Sequence, residues 1–390
     1  MKRVIVLGST GSIGVQALQV VAAGSGLTVV GISCDRNIEL LLEQAMSLGV
    51  ENLAVADPSA VATVAPSLYP EFTIYAGPGG AAELVRRTEA DLVLNAIVGF
   101  AGLEATIATL ETGKRLALAN KESLVCAGVL VTGLCDGRED AILPVDSEHS
   151  ALFQLIGAAG REAVESVIIT ASGGPFRGRS AADLAHVGPA EALAHPTWSM
   201  GRKISIDSAT LVNKGLEIIE AHYLFGLPYE DIEVVVHPQS VVHAAVRMVD
   251  GALLAHLGTA DMRVPIAYAL NHPQRGAVQA EKLDLTGLGV LQFEAPDVDT
   301  FPALRLAREA GLRGDRATCA FNAANEVAVA AFLDGRLPFL GISDVLEQVV
   351  DGSGAGAFGT YAEAASVDEE AREQAAQIIE SRRSSREERT

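Results

Sequence analysis

Residues 3–22 read RVIVL, then GSTGSIG, then VQALQVVA, and this stretch decides the fold. RVIVL (3–7) is a short continuous apolar run, the pattern of a strand buried on both faces. GSTGSIG places Gly8, Gly11 and Gly14 at a constant spacing. VQALQVVAA (15–23) has helical periodicity, with Val15, Leu18, Val21 and Ala22 on one face. A glycine-rich turn between a first strand and a first helix suits a dinucleotide. The glycines let backbone approach a pyrophosphate, and the helix N-terminus offers N–H donors. A plain strand-to-helix turn has the same punctuation and is the alternative.

The alternation continues through LTVVGIS (27–33), IELLLEQAMSLG (38–49), NLAVAD (52–57), ADLVLNAIVG (90–99) and RLALAN (115–120). This predicts a doubly wound parallel sheet. The second strand ends in Ser33-Cys34-Asp35-Arg36-Asn37. An acid there grips a ribose 2′-hydroxyl and an arginine accommodates a 2′-phosphate. Both are present, and Arg36 favours NADP.

From about residue 143 the texture changes. SVIITAS, IEVVVHP, SVVHAAV and ALLAHLG read as strands around polar loops, an α+β pattern. Residues 271–297 show little periodicity and read as a linker. From 298 the chain is rich in Ala, Leu and Glu at helical spacing, which predicts a helical bundle. The last ten residues read as a frayed tail.

Three groups of residues carry chemistry. LPVDSEHSA (143–151) holds Asp146, Ser147 and Glu148. In an extended strand end, positions 146 and 148 face the same side and share a divalent cation, with Glu217 of NKGLE as a third oxygen ligand. A capping Asp beside a solvated Glu is the alternative. Residues 171–214 carry five cations (Arg177, Arg179, Arg202, Lys203, Lys214) against three acids, a local excess of 5 − 3 = +2. They include ASGGPF with Ser172, and DSATLVNKG with Ser208 and Asn213, donors suited to a phosphate monoester. Between these lies HPTWSMG (195–201) with the only tryptophan, Trp198, which suits a flap over a ligand. NKES (120–123) ends a strand, where Lys121 can reach a substrate oxygen or simply pair with a carboxylate.

The whole chain runs the other way in charge. Among 390 residues, 29 Lys and Arg face 49 Asp and Glu, a formal charge of −20. That disfavours general nucleic-acid and anionic-membrane partners. No apolar stretch approaches the ~18 residues of a membrane span, and the basic N-terminus breaks too early for a secretory signal. The four cysteines are scattered, without a C-x-x-C pair, and read as reduced thiols of a cytoplasmic protein.

GSTGSIG, NKES, LPVDSEH, ASGGPF, HPTWSMGRKISIDSAT, NKGLE, HPQSVVH and NAANE occur in order along the chain. Together they resemble the 1-deoxy-D-xylulose 5-phosphate reductoisomerase family. The resemblance implies an NADPH-dependent homodimer that uses Mn²⁺ or Mg²⁺ to rearrange and reduce a ketose phosphate to 2-C-methyl-D-erythritol 4-phosphate, in isoprenoid precursor synthesis. It implies an NADPH-binding domain (1–145), a catalytic and dimerisation domain with a flap (146–270), the linker, and a C-terminal bundle (298–390). By motif, Thr10, Gly11, Ser12, Ile13, Arg36, Asn37, Asn120, Glu122 and Gly201 would hold the cofactor. Asp146, Glu148 and Glu217 would bind the metal. Lys121, Ser147, Glu148, Ser172, His195, Trp198, Ser208, Asn213, Lys214 and Glu217 would meet the substrate, with Lys121 and Glu148 moving protons. Asp35 departs from the family pattern, in which a small residue precedes the basic one. An ordinary NADP-dependent semialdehyde dehydrogenase would need an activated cysteine, and a non-catalytic dinucleotide sensor would need no carboxylate triad.

Overall fold

The computed structural model describes all residues except 25, 64–70 and 388–390. The chain divides into two compact units, and their boundaries cross the sequence more than once.

The first unit comprises 1–123, 131–150 and 261–281. Its centre is a seven-stranded sheet of β1 (Lys2–Leu7), β2 (Leu27–Cys34), β3 (Asn52–Val55), β4 (Thr73–Ala76), β5 (Leu92–Asn95), β6 (Arg115–Leu118) and β7 (Ile142–Pro144). The order is β4-β3-β2-β1-β5-β6-β7, with every pairing parallel. Strand order reverses beside β1, so the glycine turn lies at the switch point where such sheets bind ligands. Ile5, Leu7, Ala54 and Val93 form the core with Leu84 and Val85 of the helix Gly80–Arg87. The first helix, Ser12–Ala22, buries Gly14, Ala17, Leu18 and Val21 rather than the expected Val15 and Ala22. Its face is rotated because Gly14 presses on the turn itself. The helix Ile38–Leu48 ends where expected, at Gly49 with φ +66°, a left-handed position that favours glycine.

The second unit comprises 124–130, 151–260 and 282–387 among the described residues. Its four-stranded sheet is built from β8 (Val164–Ala171), β9 (Ile232–Val236), β10 (Val242–Met248) and β11 (Leu253–Leu257), in the order β11-β10-β8-β9. Only β8 and β9 run parallel. The helices Ala303–Arg313, Asp315–Leu333, Phe339–Gly352 and Tyr361–Glu387 form the C-terminal bundle. The core of the bundle is continuous with that of the central segment. Phe321, Phe332, Ile342 and Leu346 lie in one cluster with Val167, Ile169 and Phe176 of the central segment. Arg308 joins the two by donating to the carbonyls of Tyr229 and Ile232.

The stretch read as a linker is shared. Lys2 Nζ donates to the Leu270 carbonyl at 2.9 Å at the end of the helix Arg263–Asn271, and residues up to 281 stay with the first unit. Glu294 instead pairs with Val236 at the end of β9, in the second. The segment read as a frayed tail is helical through Glu387, and its last three residues lie outside the described ones.

Candidate active site

The nucleotide turn is built by close backbone approach. Gly8 adopts φ +72°, and its N–H donates to Ser33 Oγ at 2.9 Å. Ser9 is buried; its hydroxyl donates to Gln44 Oε1 at 2.7 Å and Gln44 Nε2 returns a bond to its carbonyl at 3.0 Å. A Cβ on Gly14 would stand 2.2 Å from the Gly8 carbonyl oxygen and 2.5 Å from Ser9 Cα. The helix therefore starts hard against the loop. Thr10 and Ile13 are half-buried, and Gly11 and Ser12 are exposed at the open end of its first turn, which contains no acid. An anion meets partial positive charge there.

Not every residue expected at the cofactor has a free side chain. Asn37 caps the helix Ile38–Leu48 by accepting from Leu40 N–H at 3.3 Å. Asn120 is buried, and its amide donates to the carbonyls of Ile97 at 2.7 Å and Gly99 at 2.9 Å and to Glu122 Oε2 at 3.2 Å. It shapes the loop after β5. Arg36 is well exposed and pairs through Nε with Asp57 at 3.2 Å and Asp35 at 3.7 Å.

The carboxylate motif has a different local structure from the extended one expected. The strand β7 stops at Pro144, and the helix Ser147–Ala159 begins at once. Asp146 stands at its N-terminus, where Oδ1 accepts from Glu148 N–H at 3.3 Å. Pro144 has no N–H to extend the sheet, and an Asp two residues on is a natural helix start. Asp146 and Glu148 are thus placed by a helix turn, not by strand alternation. Lys121, beyond β6, is buried and donates to Asp146 Oδ2 at 2.5 Å. His149, fully buried, lies 3.3 Å from Asp146 Oδ1. The sequence reading gave His149 no role, although its i, i+3 spacing from Asp146 was the available signal. Ser147 donates to Glu148 Oε2.

In the second unit the anion loops meet around the carboxyl end of β8. Ser172 follows Ala171, and Gly173 and Gly174 turn the chain with φ of +83° and +66°. A Cβ on Gly174 would reach 2.8 Å from the Ser208 carbonyl oxygen, so this turn lies against the end of the helix Arg202–Ala209. Ser172 Oγ is 2.8 Å from His195 Nε2. His195 Nδ1 accepts the backbone N–H of Trp198 at 2.9 Å and of Thr197 at 3.2 Å. Nδ1 is therefore unprotonated, and the ring donates from Nε2 to the serine. Trp198 is half-buried, its ring 6.5 Å from that of His243. Gly201 precedes the helix that carries Lys203 and Ser208. The next helix, Val212–Phe225, carries the rest: Asn213 Nδ2 and Lys214 Nζ donate to opposite oxygens of Glu217, with Lys214 and Glu217 both buried.

The excess of the locally positive stretch is offset by two acids outside it, Glu294 and Glu217, while its other pairs are made within it. Arg177 pairs with Glu294 at 2.5 Å, Lys214 with Glu217, Lys203 with Asp207 at 3.1 Å and Arg179 with Glu191 at 3.8 Å. Asn325, in the quoted NAANE, donates to Asp207 Oδ1 at 2.7 Å. What these loops offer an anion is therefore a set of aimed donors, not net charge.

Burial pushes the His195 imidazole below its ordinary pKa. Below about pH 6.5 the unfolded chain binds this proton more readily than the folded one. The stability this neutral ring contributes is present above that pH and lost as pH falls through the depressed value. Protonation also removes the acceptor for the two loop N–H groups. Emission of Trp198 is therefore expected to shift as pH falls below about 6.5 in the wild type, and His195→Gln is expected to lack that step. An identical profile in the variant would contradict the assignment.

Three of the four thiols are held away from the reactive thiolate form. Burial raises those of Cys126 and Cys135 and pushes that of Cys34 up to about 12. A cysteine-dependent dehydrogenase has no candidate nucleophile among these three.

A parallel sheet with a glycine turn at its switch point, followed by a region of carboxylates and phosphate-type donors, defines a nucleotide-dependent oxidoreductase class. The chain belongs to the 1-deoxy-D-xylulose 5-phosphate reductoisomerase family: family models match it at 4–128, 142–225 (C-terminal domain of that enzyme) and 257–374 (DXP reductoisomerase C-terminal domain). It is 50% identical over 356 residues to the 1-deoxy-D-xylulose 5-phosphate reductoisomerase of Symbiobacterium thermophilum, covering 90% of this chain and 92% of that protein. The Nocardia farcinica enzyme of the same name is 52% identical over 351 residues, covering 90% and 87%. Among solved structures, the Zymomonas mobilis reductoisomerase in complex with NADPH superposes with a TM-score of 0.89 at 43% identity, covering 97% and 99%. A DOX-P reductoisomerase in complex with NADPH, fosmidomycin and magnesium gives 0.93 at 38% identity, covering 97% and 98%.

Proposed function

We propose that this chain catalyses the NADPH- and divalent-metal-dependent rearrangement and reduction of 1-deoxy-D-xylulose 5-phosphate to 2-C-methyl-D-erythritol 4-phosphate. The observation that carries the reading is its 50% identity to a reductoisomerase across nine-tenths of both chains, together with the glycine cradle that a Cβ at Gly14 would fill.

NADPH would lie on the turn Thr10–Ile13, with Arg36 toward its 2′-phosphate. Asp146, Glu148 and Glu217 would supply carboxylate oxygens to Mg²⁺ or Mn²⁺, a donor set that suits a hard cation over zinc. When bound, NADPH supplies a hydride and the cation supplies Lewis acidity at the substrate oxygens.

The chain's own side chains do the rest. Ser172, Ser208, Asn213 and Lys214 hold the phosphate end and position the reacting carbons. His195, neutral and donating from Nε2, fixes the Ser172 hydroxyl. Lys121 holds a proton at a substrate oxygen, Ser147 orients the Glu148 carboxylate, and Glu148 accepts or returns a proton. The 195–201 loop, with Trp198, excludes water from the intermediate.

Removal of divalent metal with a chelator is expected to abolish NADPH oxidation, and added Mg²⁺ or Mn²⁺ to restore it. Full turnover in the chelated enzyme would sink the metal assignment.

The reading includes a cytoplasmic homodimer. Supporting it, β11 is a sheet edge that exposes Leu253, Leu254 and Leu257, the kind of edge a second copy covers. A single-chain mass at sedimentation equilibrium would contradict the dimer. Among the described residues no helix is long and apolar enough to cross a membrane.

A further inference from the structure

Two acids flank Arg36, one past the end of β2 and one past the end of β3, and the better-fixed acid is not the one next to it in sequence. Asp57 follows β3, and parallel pairing brings it alongside: its backbone N–H donates to the Asp35 carbonyl at 3.0 Å. Asp57 Oδ1 accepts from Ser59 N–H at 2.9 Å and Ser59 Oγ–H at 2.7 Å. These bonds cap the short helix Pro58–Val61 and leave Oδ2 facing Arg36 Nε at 3.2 Å. They also hold the carboxyl below the usual range, so Asp57 stays ionised. Asp35 is farther, at 3.7 Å, and its side chain is 76% exposed against 25% for Asp57.

We propose that Asp57 sets the nucleotide selectivity of this chain: its fixed carboxylate competes with the ribose 2′-phosphate for Arg36, so NADPH is preferred over NADH less than Arg36 alone would dictate. The inference rests on the dinucleotide reading of the first unit. A phosphate that reaches Arg36 must share the guanidinium with a carboxylate that cannot swing away, and it is repelled by that carboxylate. A 2′-hydroxyl suffers no such repulsion and can donate to either acid.

Dissociation constants for NADPH and NADH, measured by calorimetry on the full chain, test this. Asp57→Asn keeps an oxygen for Ser59 and removes the charge; Asp57→Ser keeps a good cap by another route. Both are expected to raise the ratio of NADH to NADPH dissociation constants by about three- to tenfold at low salt, chiefly through tighter NADPH. Asp35→Asn is expected to do less. Arg36→Ala is expected to bring the ratio near one, and Asp57→Asn in that background to add little. An unchanged or lowered ratio in both Asp57 variants would overturn the proposal, as would a gain that persists without Arg36. Failure of the wild type to bind either nucleotide would overturn the dinucleotide reading as well.

Discussion

Glu217→Gln is expected to lower kcat by about 10³-fold or more, with NADPH affinity within about twofold of the wild type. If Glu217 is one of three carboxylates that hold the cation, as proposed, its loss removes a full charge from them, and Lewis-acid stabilisation is worth several kcal/mol, at about 1.4 kcal/mol per tenfold in rate. The choice of glutamine matters. Lys214 is buried against Glu217, and Asn213 donates to the other carboxylate oxygen. Glutamine keeps an acceptor, whereas alanine would remove one partner of a buried ion pair, at a cost of about 3–5 kcal/mol. A glutamine variant that melts close to the wild type, binds NADPH and does not turn over would isolate the chemical role. Near-normal kcat with added Mg²⁺ would contradict it.

Gly14→Ala is expected to be strongly damaging to both stability and nucleotide binding. The new Cβ would lie 2.2 Å from the Gly8 carbonyl oxygen and 2.5 Å from Ser9 Cα. Both contacts are backbone, and the turn is tied to Ser33 and Gln44, so no rotamer relieves them. The cost should reach the ~3 kcal/mol upper end of ordinary overpacking. Displacing the helix N-terminus also misaims its N–H donors, so NADPH affinity should fall by about 100-fold or more. Gly157→Ala, in the helix Ser147–Ala159, is the control, since its Cβ would meet nothing within 4 Å. Equal nucleotide affinity in Gly14→Ala and wild type would contradict the cradle.

The sheet was legible wherever burial made continuous apolar runs. RVIVL, LTVVGIS and RLALAN all mark strands of its interior. TIYA (73–76) was not recognised because β4 is an edge strand that is only partly buried. The motif residues were legible by type, but their local geometry was not. Strand alternation failed at Asp146 because a helix start competes with the strand immediately after Pro144. The local charge count failed for a different reason: counter-ions are chosen by the fold. Glu294 reaches Arg177 from 117 residues away, and Glu217 lies one helical turn beyond the counted window. The C-terminal helices were visible by periodicity, but nothing periodic says that they complete the core under β8. The Arg36–Asp57 pair was hidden likewise, since parallel strand pairing, not sequence distance, makes those residues neighbours.

The central claim is that this acidic chain reduces a rearranged sugar phosphate. The direct measurement is NADPH consumption by the purified full chain with 1-deoxy-D-xylulose 5-phosphate and Mg²⁺, with the product identified by NMR. One branched 2-C-methyl-D-erythritol 4-phosphate formed per NADPH oxidised is the predicted result. Consumption of NADPH to give an unbranched polyol phosphate, or no consumption at all, would contradict it.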